Sequence, residues 1–381
     1  MRTNPVLARL GSYAIGELQN RVRAMRAAGE HLIDFSIGDP REPTPAFIRE
    51  AVRDSIPEVS QYPTARGLAS LREAIAGYVG RRFGVDVDPE TQVLPTSGSK
   101  EAIFSTPLAF IDRDARDAVA WPTPGYPIYE RGALLAGAEG VGVALDGDFV
   151  FRVDQVPADL WPRLRMLWTC SPHNPAGSVT PRIEVERFVT AARDAGTLLC
   201  ADECYIDLFE GDPPTGVLEV AGPQAKGVLA FFSLSKRSGM TGYRSGAIVG
   251  DAEAIAVLAS FRTSTGTASP EYVQAGASEA WSDDTHTEDR RRIFAAKRSV
   301  LRGAFEDAGF EVVGSVAGIY LWVEVGDDVA VTARLLEDGI VVSPGSAFGP
   351  GGEGYVRLAL VPELDECDEA AEAVRKCLSK N

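Results

Sequence analysis

Short, continuous apolar runs alternate along the chain with longer stretches in which apolar residues recur every three or four positions. The runs fall at residues 117–121, 164–170, 197–201, 227–234 and 245–249, most of them bounded by Pro, Gly or Asp, and their length and composition predict buried strands. Between them Leu68, Leu71, Ile75, Tyr78 and Val79 keep helical spacing, as do Val185, Phe188, Val189 and Ala192, so each segment offers one stripe to a sheet. Alternation of strand and helix predicts an α/β fold: a three-layer large domain around a mostly parallel sheet, with ligand sites beyond the carboxyl ends of its strands. Past about residue 285 the texture changes. A charged helix over 289–308, short strands at 311–313 and 320–325, a glycine-rich stretch, a strand at 355–360 and a helix from 363 predict a smaller α+β domain.

Composition narrows the function. A chain of 381 residues suits two domains, or one large α/β domain with a smaller partner. The formal net charge of −16 argues against a nucleic-acid binder, which carries a basic face. Cys170, Cys200, Cys204, Cys367 and Cys377 are odd in number and lack small-scaffold spacing, which predicts reduced thiols in a cytoplasmic protein. His31, His173 and His286 lie scattered, so no metal centre is expected. No apolar run approaches the roughly 20 residues that span a bilayer, and residues 1–29 lack the apolar core of a secretory signal, so neither a membrane partner nor export is expected.

The candidate chemistry sits just past the predicted strand ends. After 117–121 comes PTPGYPIY, with Tyr126 on a proline loop; after 164–170 comes SPHNPAG, with Asn174 at a turn and His173 read as a turn residue; 197–201 runs into Asp202, Glu203, Cys204 and Tyr205. The run at 227–234 leads into SLSKRSGMTGYRSG, which offers Ser233, Lys236, Arg237 and Arg244. An aromatic ring, an amide, a carboxylate with a phenol, and an amine are the groups that pyridoxal phosphate chemistry uses. A lysine holds the cofactor's aldehyde as a Schiff base and must be less basic than its ordinary value of about 10.4; the neighbouring cations and partial burial are expected to lower it. A carboxylate such as Asp202 keeps the pyridine nitrogen protonated. Tyr205 and Asn174 suit the ring's 3′-oxygen, Tyr126 its face, and Ser233, Arg244 and the helix-opening turn TSGSKEA its phosphate.

In this order and spacing, SIGDPREPTP, QYPTARGLASLREAI, TSGSKEA, PTPGYPIY, HNPAG, ADECY, SLSKRSGMTGYRSG, GIYLWVEV and YVRLAL resemble the motifs of the fold type I, class I/II aminotransferases over almost the whole chain. The resemblance implies pyridoxal 5′-phosphate as cofactor, an amino acid and a 2-oxo acid as substrates, and Lys236 as the Schiff-base lysine and proton-moving base. It makes Asp202 the pyridine-nitrogen partner, counts Tyr205 with these two as catalytic, and gives Ser99 and Lys100 (through backbone N–H), Ser233 and Arg244 to the phosphate. Tyr62 matches a tyrosine that reaches the phosphate of the neighbouring subunit, which implies a homodimer with shared sites. Arg357 matches the arginine that grips the substrate α-carboxylate with two prongs, with Asn174 and Gly38 as further substrate contacts. Gly38 lies where the family brings an N-terminal segment over the substrate. The implied division is a segment 1–45 joining the small domain, a large domain 46–284 and a small domain 285–381.

Within the family the motifs are most similar to N-succinyldiaminopimelate aminotransferases of the lysine and diaminopimelate route, which implies N-succinyl-LL-2,6-diaminopimelate as donor and 2-oxoglutarate as acceptor. Ser264-Thr265 stands where that subgroup often has Tyr-His. A broad aspartate-type aminotransferase is the alternative, and a carbon–sulfur lyase uses the same constellation without a keto-acid acceptor. The glycine-rich residues 344–354 lack the lysine and hydroxyl of a nucleotide loop and read as flexible backbone near the substrate entrance.

Overall fold

A computed structural model describes residues 2–10 and 14–378. Residues 1 and 11–13 of the expected N-terminal segment, and 379–381 of the expected small domain, lie outside the described residues. The strands, in chain order, are β1 (Ile33–Asp34), β2 (Val93–Thr96), β3 (Ala118–Thr123), β4 (Glu139–Ala144), β5 (Leu164–Cys170), β6 (Leu198–Asp202), β7 (Val228–Ser233), β8 (Gly246–Gly250), β9 (Glu311–Val313), β10 (Tyr320–Glu324), β11 (Ile340–Val341), β12 (Ser343–Pro344) and β13 (Tyr355–Ala359). Seven form the large sheet in the order β2-β8-β7-β6-β5-β3-β4. Its pairs from β7 through to β4 are parallel, and β8 runs antiparallel to both neighbours. Hence β2, β3, β4, β5, β6 and β7 all end at the same edge, at Thr96, Thr123, Ala144, Cys170, Asp202 and Ser233.

Both faces of this sheet are covered, and for that reason its inner strands read as continuous apolar runs. On one face the helices Ala69–Phe83 and Arg182–Ala195 bury Leu71, Ile75, Tyr78, Val79, Phe188 and Val189 against a core that includes Phe232. On the other, Ile103, Tyr129, Trp168 and Ile255 pack with Phe231. Phe231 and Phe232 thus serve opposite layers, as the two-residue alternation of a strand requires. Emptying either site, as in Phe232→Ala, costs about 3–5 kcal/mol.

A second sheet, β12-β13-β10-β9, is antiparallel throughout and shares a core with the helices Thr285–Asp307 and Leu364–Leu378, through Phe294, Leu301, Leu321, Leu358 and Val374. Ile33 and Phe35 belong to that core, because β1 pairs in parallel with β11.

The structure departs from the sequence expectations in places with clear physical causes. β2 and β4, the two edges of the large sheet, are not among the predicted runs: β2 carries Pro95, tolerated where a strand lacks an outer neighbour, and β4 reads EGVGVA and is largely exposed. The helix expected from 289 begins at Thr285, because the Asp283 carboxylate accepts from the His286 amide at 3.0 Å and satisfies an otherwise unpaired donor of the first turn. The glycine-rich stretch is folded, not loose. The Asp328 carboxylate accepts from the amides of Ser346 and Gly354 at 3.0 and 3.2 Å, and Thr123 donates to the Pro350 carbonyl at 3.0 Å. Gly345 and Gly352 are needed for close approach, since a Cβ on Gly345 would lie 2.0 Å from the Gly352 carbonyl oxygen.

Candidate active site

Beyond the shared strand edge lies a cavity of about 490 Å³ whose wall includes Asp202, Tyr205, Ser233, Lys236, Arg244 and Arg357. Lys236 sits in a single helical turn, Leu234–Arg237. Ser233 starts that turn: its hydroxyl accepts from the Ser235 amide at 3.2 Å, which caps the helix directly at the end of β7. The Lys236 ammonium donates to the Gly38 carbonyl. Burial pulls its pKa down to about 8; Asp39 opposes this, while Arg244 and Arg357 add to it. Arg237, expected from the sequence as one of the cations acting on Lys236, turns away and pairs with Asp207 at 2.9 Å and Asp284 at 2.6 Å.

Asp202 closes β6 and is buried. Burial pushes its carboxyl up, and neutral donors draw it back: the Tyr129 hydroxyl on one oxygen at 2.6 Å, the Cys204 thiol, and the Cys204 amide on the other oxygen at 3.2 Å. Across the cavity Arg357, on β13, donates to the Asn174 side-chain carbonyl at 3.2 Å and to the Ser36 carbonyl at 2.7 Å. Its guanidinium carbon lies 4.4 Å from the ring centres of both Tyr320 and Phe348. Its Nε is buried without a hydrogen-bond partner among the described residues, leaving one donor of the fork unpaired. The hydroxyls of Tyr205 and Tyr320 share a hydrogen bond of 2.9 Å, and burial raises both phenols.

The remaining candidates complete the wall. Ser99 and Lys100 begin the helix Ser99–Phe110, whose first amides lack intrahelical partners. Arg244 has φ +56°, in the left-handed region, and its guanidinium lies against Gly98: a Cβ on that glycine, itself at φ +82°, would be 2.4 Å from Arg244 Nη2. A Cβ on Gly38 would likewise lie 2.7 Å from the Tyr320 hydroxyl. Tyr126 lines the cavity and meets Tyr129 edge to face at 5.7 Å.

Tyr62 alone among the sequence candidates is absent from this wall; it is 100 % exposed. Conversely, Ser235, Tyr320, Phe348 and Gln19 line the cavity without having been singled out. Ser235 and Tyr320 stand inside motifs already recognised, SLSKRSG and GIYLWVEV, and strand alternation puts Tyr320 and Trp322 on one face. Tyr129 has a plainer signal, standing three residues beyond Tyr126 inside the recognised motif PTPGYPIY. Nothing in the sequence marks Gln19.

Comparison with known proteins bears on what this arrangement does. Residues 30–374 match the family model for aminotransferase class I and II. The LL-diaminopimelate aminotransferase of Nitratidesulfovibrio vulgaris is 34 % identical over 381 residues, with 97 % of each chain covered. The 4-dedimethylamino-4-oxo-anhydrotetracycline transaminase OxyQ of Streptomyces rimosus is 39 % identical over 345 residues, covering 90 % of this chain and 92 % of its own. Among solved structures, an aminotransferase from Neisseria meningitidis superposes with a TM-score of 0.91 at 33 % identity, covering 99 % of this chain and all of that one (100 %). The aspartate aminotransferase of Thermus thermophilus with maleate gives the same TM-score of 0.91 at 26 % identity, with 99 % and 100 % covered. By motif order, fold and similarity along its length, this chain belongs to the class I and II aminotransferases, which work with pyridoxal 5′-phosphate.

Proposed function

We propose that the cavity holds pyridoxal 5′-phosphate attached at Lys236 and that the chain moves an amino group from a diaminopimelate-class donor to 2-oxoglutarate. The observation that carries this reading is the meeting of Lys236, Asp202, Arg244 and Arg357 in one cavity. The residues fit the cofactor. Asp202 is a buried carboxyl held only by neutral donors, and a protonated ring nitrogen is the cation that stabilises its charged form. Arg244 beside Gly98, with the helix start at Ser99 and Lys100 and the hydroxyl of Ser233, suits a phosphate. Tyr126 suits the ring's face, and Tyr205 and Asn174 its oxygen.

When bound, the cofactor supplies a sink for the electrons released as the substrate α-proton leaves. The chain's own groups do the rest. Arg357 binds the substrate α-carboxylate through its planar fork, one donor of which is unpaired. Lys236, with a pKa near 8, takes up and returns a proton at Nζ close to neutral pH. The backbone around Gly38 closes over the substrate, with no room for a larger residue against Tyr320.

The same reading includes a cytoplasmic homodimer in which Tyr62 completes the neighbour's site. In its support, Ile56, Val59 and Tyr62 are 61 %, 73 % and 100 % exposed within seven residues, an apolar stretch suited to a subunit contact. It also includes the division into 46–284 and 285–381 with segment 1–45 on the latter, supported by the pairing of β1 with β11.

The motifs favour the N-succinylated donor and the relatives' names favour free LL-diaminopimelate; the two share the head that Arg357 would grip and differ at the distal end. A donor screen with 2-oxoglutarate, reading glutamate formed, distinguishes them. We expect a kcat/KM at least about tenfold above that of aspartate for one of the two. A preference for aspartate overturns the donor assignment, and turnover without any keto-acid acceptor overturns aminotransfer in favour of a lyase. Because OxyQ is named for a ring ketone, a tetracyclic ketone belongs in the screen as a further acceptor; its use in place of 2-oxoglutarate would contradict the acceptor assignment.

A further inference from the structure

We propose that Tyr129 is a positioning residue that fixes the Asp202 carboxyl group and keeps it ionised for the cofactor's ring nitrogen; this rests on the reading of Asp202 above. Tyr129 belongs to the helix Ile128–Ala136 and is fully buried. Its hydroxyl donates to one Asp202 oxygen at 2.6 Å, a length typical of a charge-assisted O–H···O⁻ bond. The ring has little freedom, being stacked on Trp168 at 5.2 Å with an interplanar angle of 18° and meeting Tyr126 edge-on at 5.7 Å. Trp168 lies on β5, whose Cys170 is the register partner of Asp202. The phenol is therefore clamped by the strand beside the one that carries its acceptor. Tyr126 precedes the helix, and its carbonyl accepts from the Tyr129 amide at 3.2 Å. The first borders the cavity and the second holds the carboxyl group that also borders it.

The chemistry of the pair needs the hydroxyl. Burial disfavours an ionised Asp202 and raises the Tyr129 phenol well above its ordinary value, so Tyr129 keeps its proton and acts as donor throughout the working range. The other titratable groups acting on Asp202 are Cys170 on β5, Cys204 and Tyr205 beyond β6, and Tyr320 on β10. All are neutral when protonated and burial raises each of them, so none supplies a positive charge. The remaining help to the carboxylate comes from Cys204, through its thiol and through its amide, the latter at the longer distance of 3.2 Å. Losing the phenolic hydroxyl removes the 2.6 Å bond while leaving the ring stack in place.

The test is a double-mutant cycle on Tyr129→Phe and Asp202→Ala, read by kcat, by donor KM and by the dissociation constant of the cofactor from the purified protein. Tyr129→Phe should lower kcat about ten- to a hundredfold, leave KM within about threefold, and weaken cofactor binding about tenfold; in the Asp202→Ala background the same change should cost less than about threefold on each. Additive losses, or a Tyr129→Phe protein with unaltered kcat and cofactor affinity, overturn the proposal. If Asp202→Ala itself leaves kcat unchanged, the fault lies in the reading of Asp202 and not in Tyr129. Should Tyr129→Phe fail to fold, 3-fluorotyrosine at position 129 keeps the ring and makes the hydroxyl a stronger donor. The Asp202 carboxyl transition, followed by carbon-detected NMR on the cofactor-free protein, should then move to lower pH, and an unmoved transition counts against the role.

Discussion

Arg357 owes its geometry to its surroundings: the rings of Tyr320 and Phe348 both lie 4.4 Å from its guanidinium carbon, and the Ser36 carbonyl and Asn174 fix two of its nitrogens. A lysine there keeps the charge and loses the fork, so Arg357→Lys should weaken recognition of the donor carboxylate by about 1–3 kcal/mol. Steady-state kinetics should show it in KM with the cofactor's visible spectrum unchanged; equal losses for substrates with and without an α-carboxylate would contradict the role. Lys236 makes a pH-dependent claim. In the cofactor-free fold its pKa is about 8 against an ordinary 10.5, so between these values the unfolded chain binds more protons and stability rises with pH; below about pH 8 the full penalty applies. Lys236→Met should therefore stabilise the cofactor-free protein by on the order of 1–3 kcal/mol near pH 7, with the gain fading toward pH 10.5. Urea denaturation at both pH values measures it, and a gain independent of pH would mean that burial of the ammonium is not the cause.

At the scale of elements, the turn Leu234–Arg237 is too short to be stable alone. Arg237 anchors it, bridging the Asp207 carboxylate at 2.9 Å and the Ala280 carbonyl at 2.7 Å, the latter near the end of the helix Glu271–Ser282, where a cation is favoured. Asp207 also accepts from Tyr78 at 2.8 Å and Arg82 at 3.1 Å. Asp207→Ala would leave the buried Arg237 guanidinium and the half-buried Arg82 short of their partner and should destabilise the protein by about 3–5 kcal/mol; a loss under about 1 kcal/mol in chemical denaturation would show that the anchor matters little. This network also marks a limit of sequence reading. That Lys236 follows a buried strand is legible in the run 227–234, whereas the direction of Arg237 depends on Asp207 and on the chain near residue 284, both distant in sequence. Strands buried on both faces were legible for the same local reason, and β2 and β4 were not, since Pro95 and two glycines obscure the edges. The residues of the cavity wall were readable where each follows a strand end. Tyr129 and Tyr320 were missed because their value lies in what they touch, Asp202 and Arg357.

For the whole molecule, the large sheet presents six parallel strand ends on one edge, and β10, β13 and the segment around Gly38 bring Tyr320, Arg357 and a backbone carbonyl to face them. Tyr62 lies outside that closed arrangement and is fully exposed, which is why a second copy is the partner we expect. Sedimentation should find a dimer, and Tyr62→Ala should weaken cofactor retention about tenfold without changing the fold; a fully active monomer would contradict it. Most direct of all is to reduce the cofactor-loaded protein with borohydride, digest it and locate the added mass. One modified peptide is expected, carrying the cofactor on Lys236, and none in Lys236→Ala. Modification on Lys100, Lys226 or Lys297 instead, or an unaltered yield from Lys236→Ala, would contradict it.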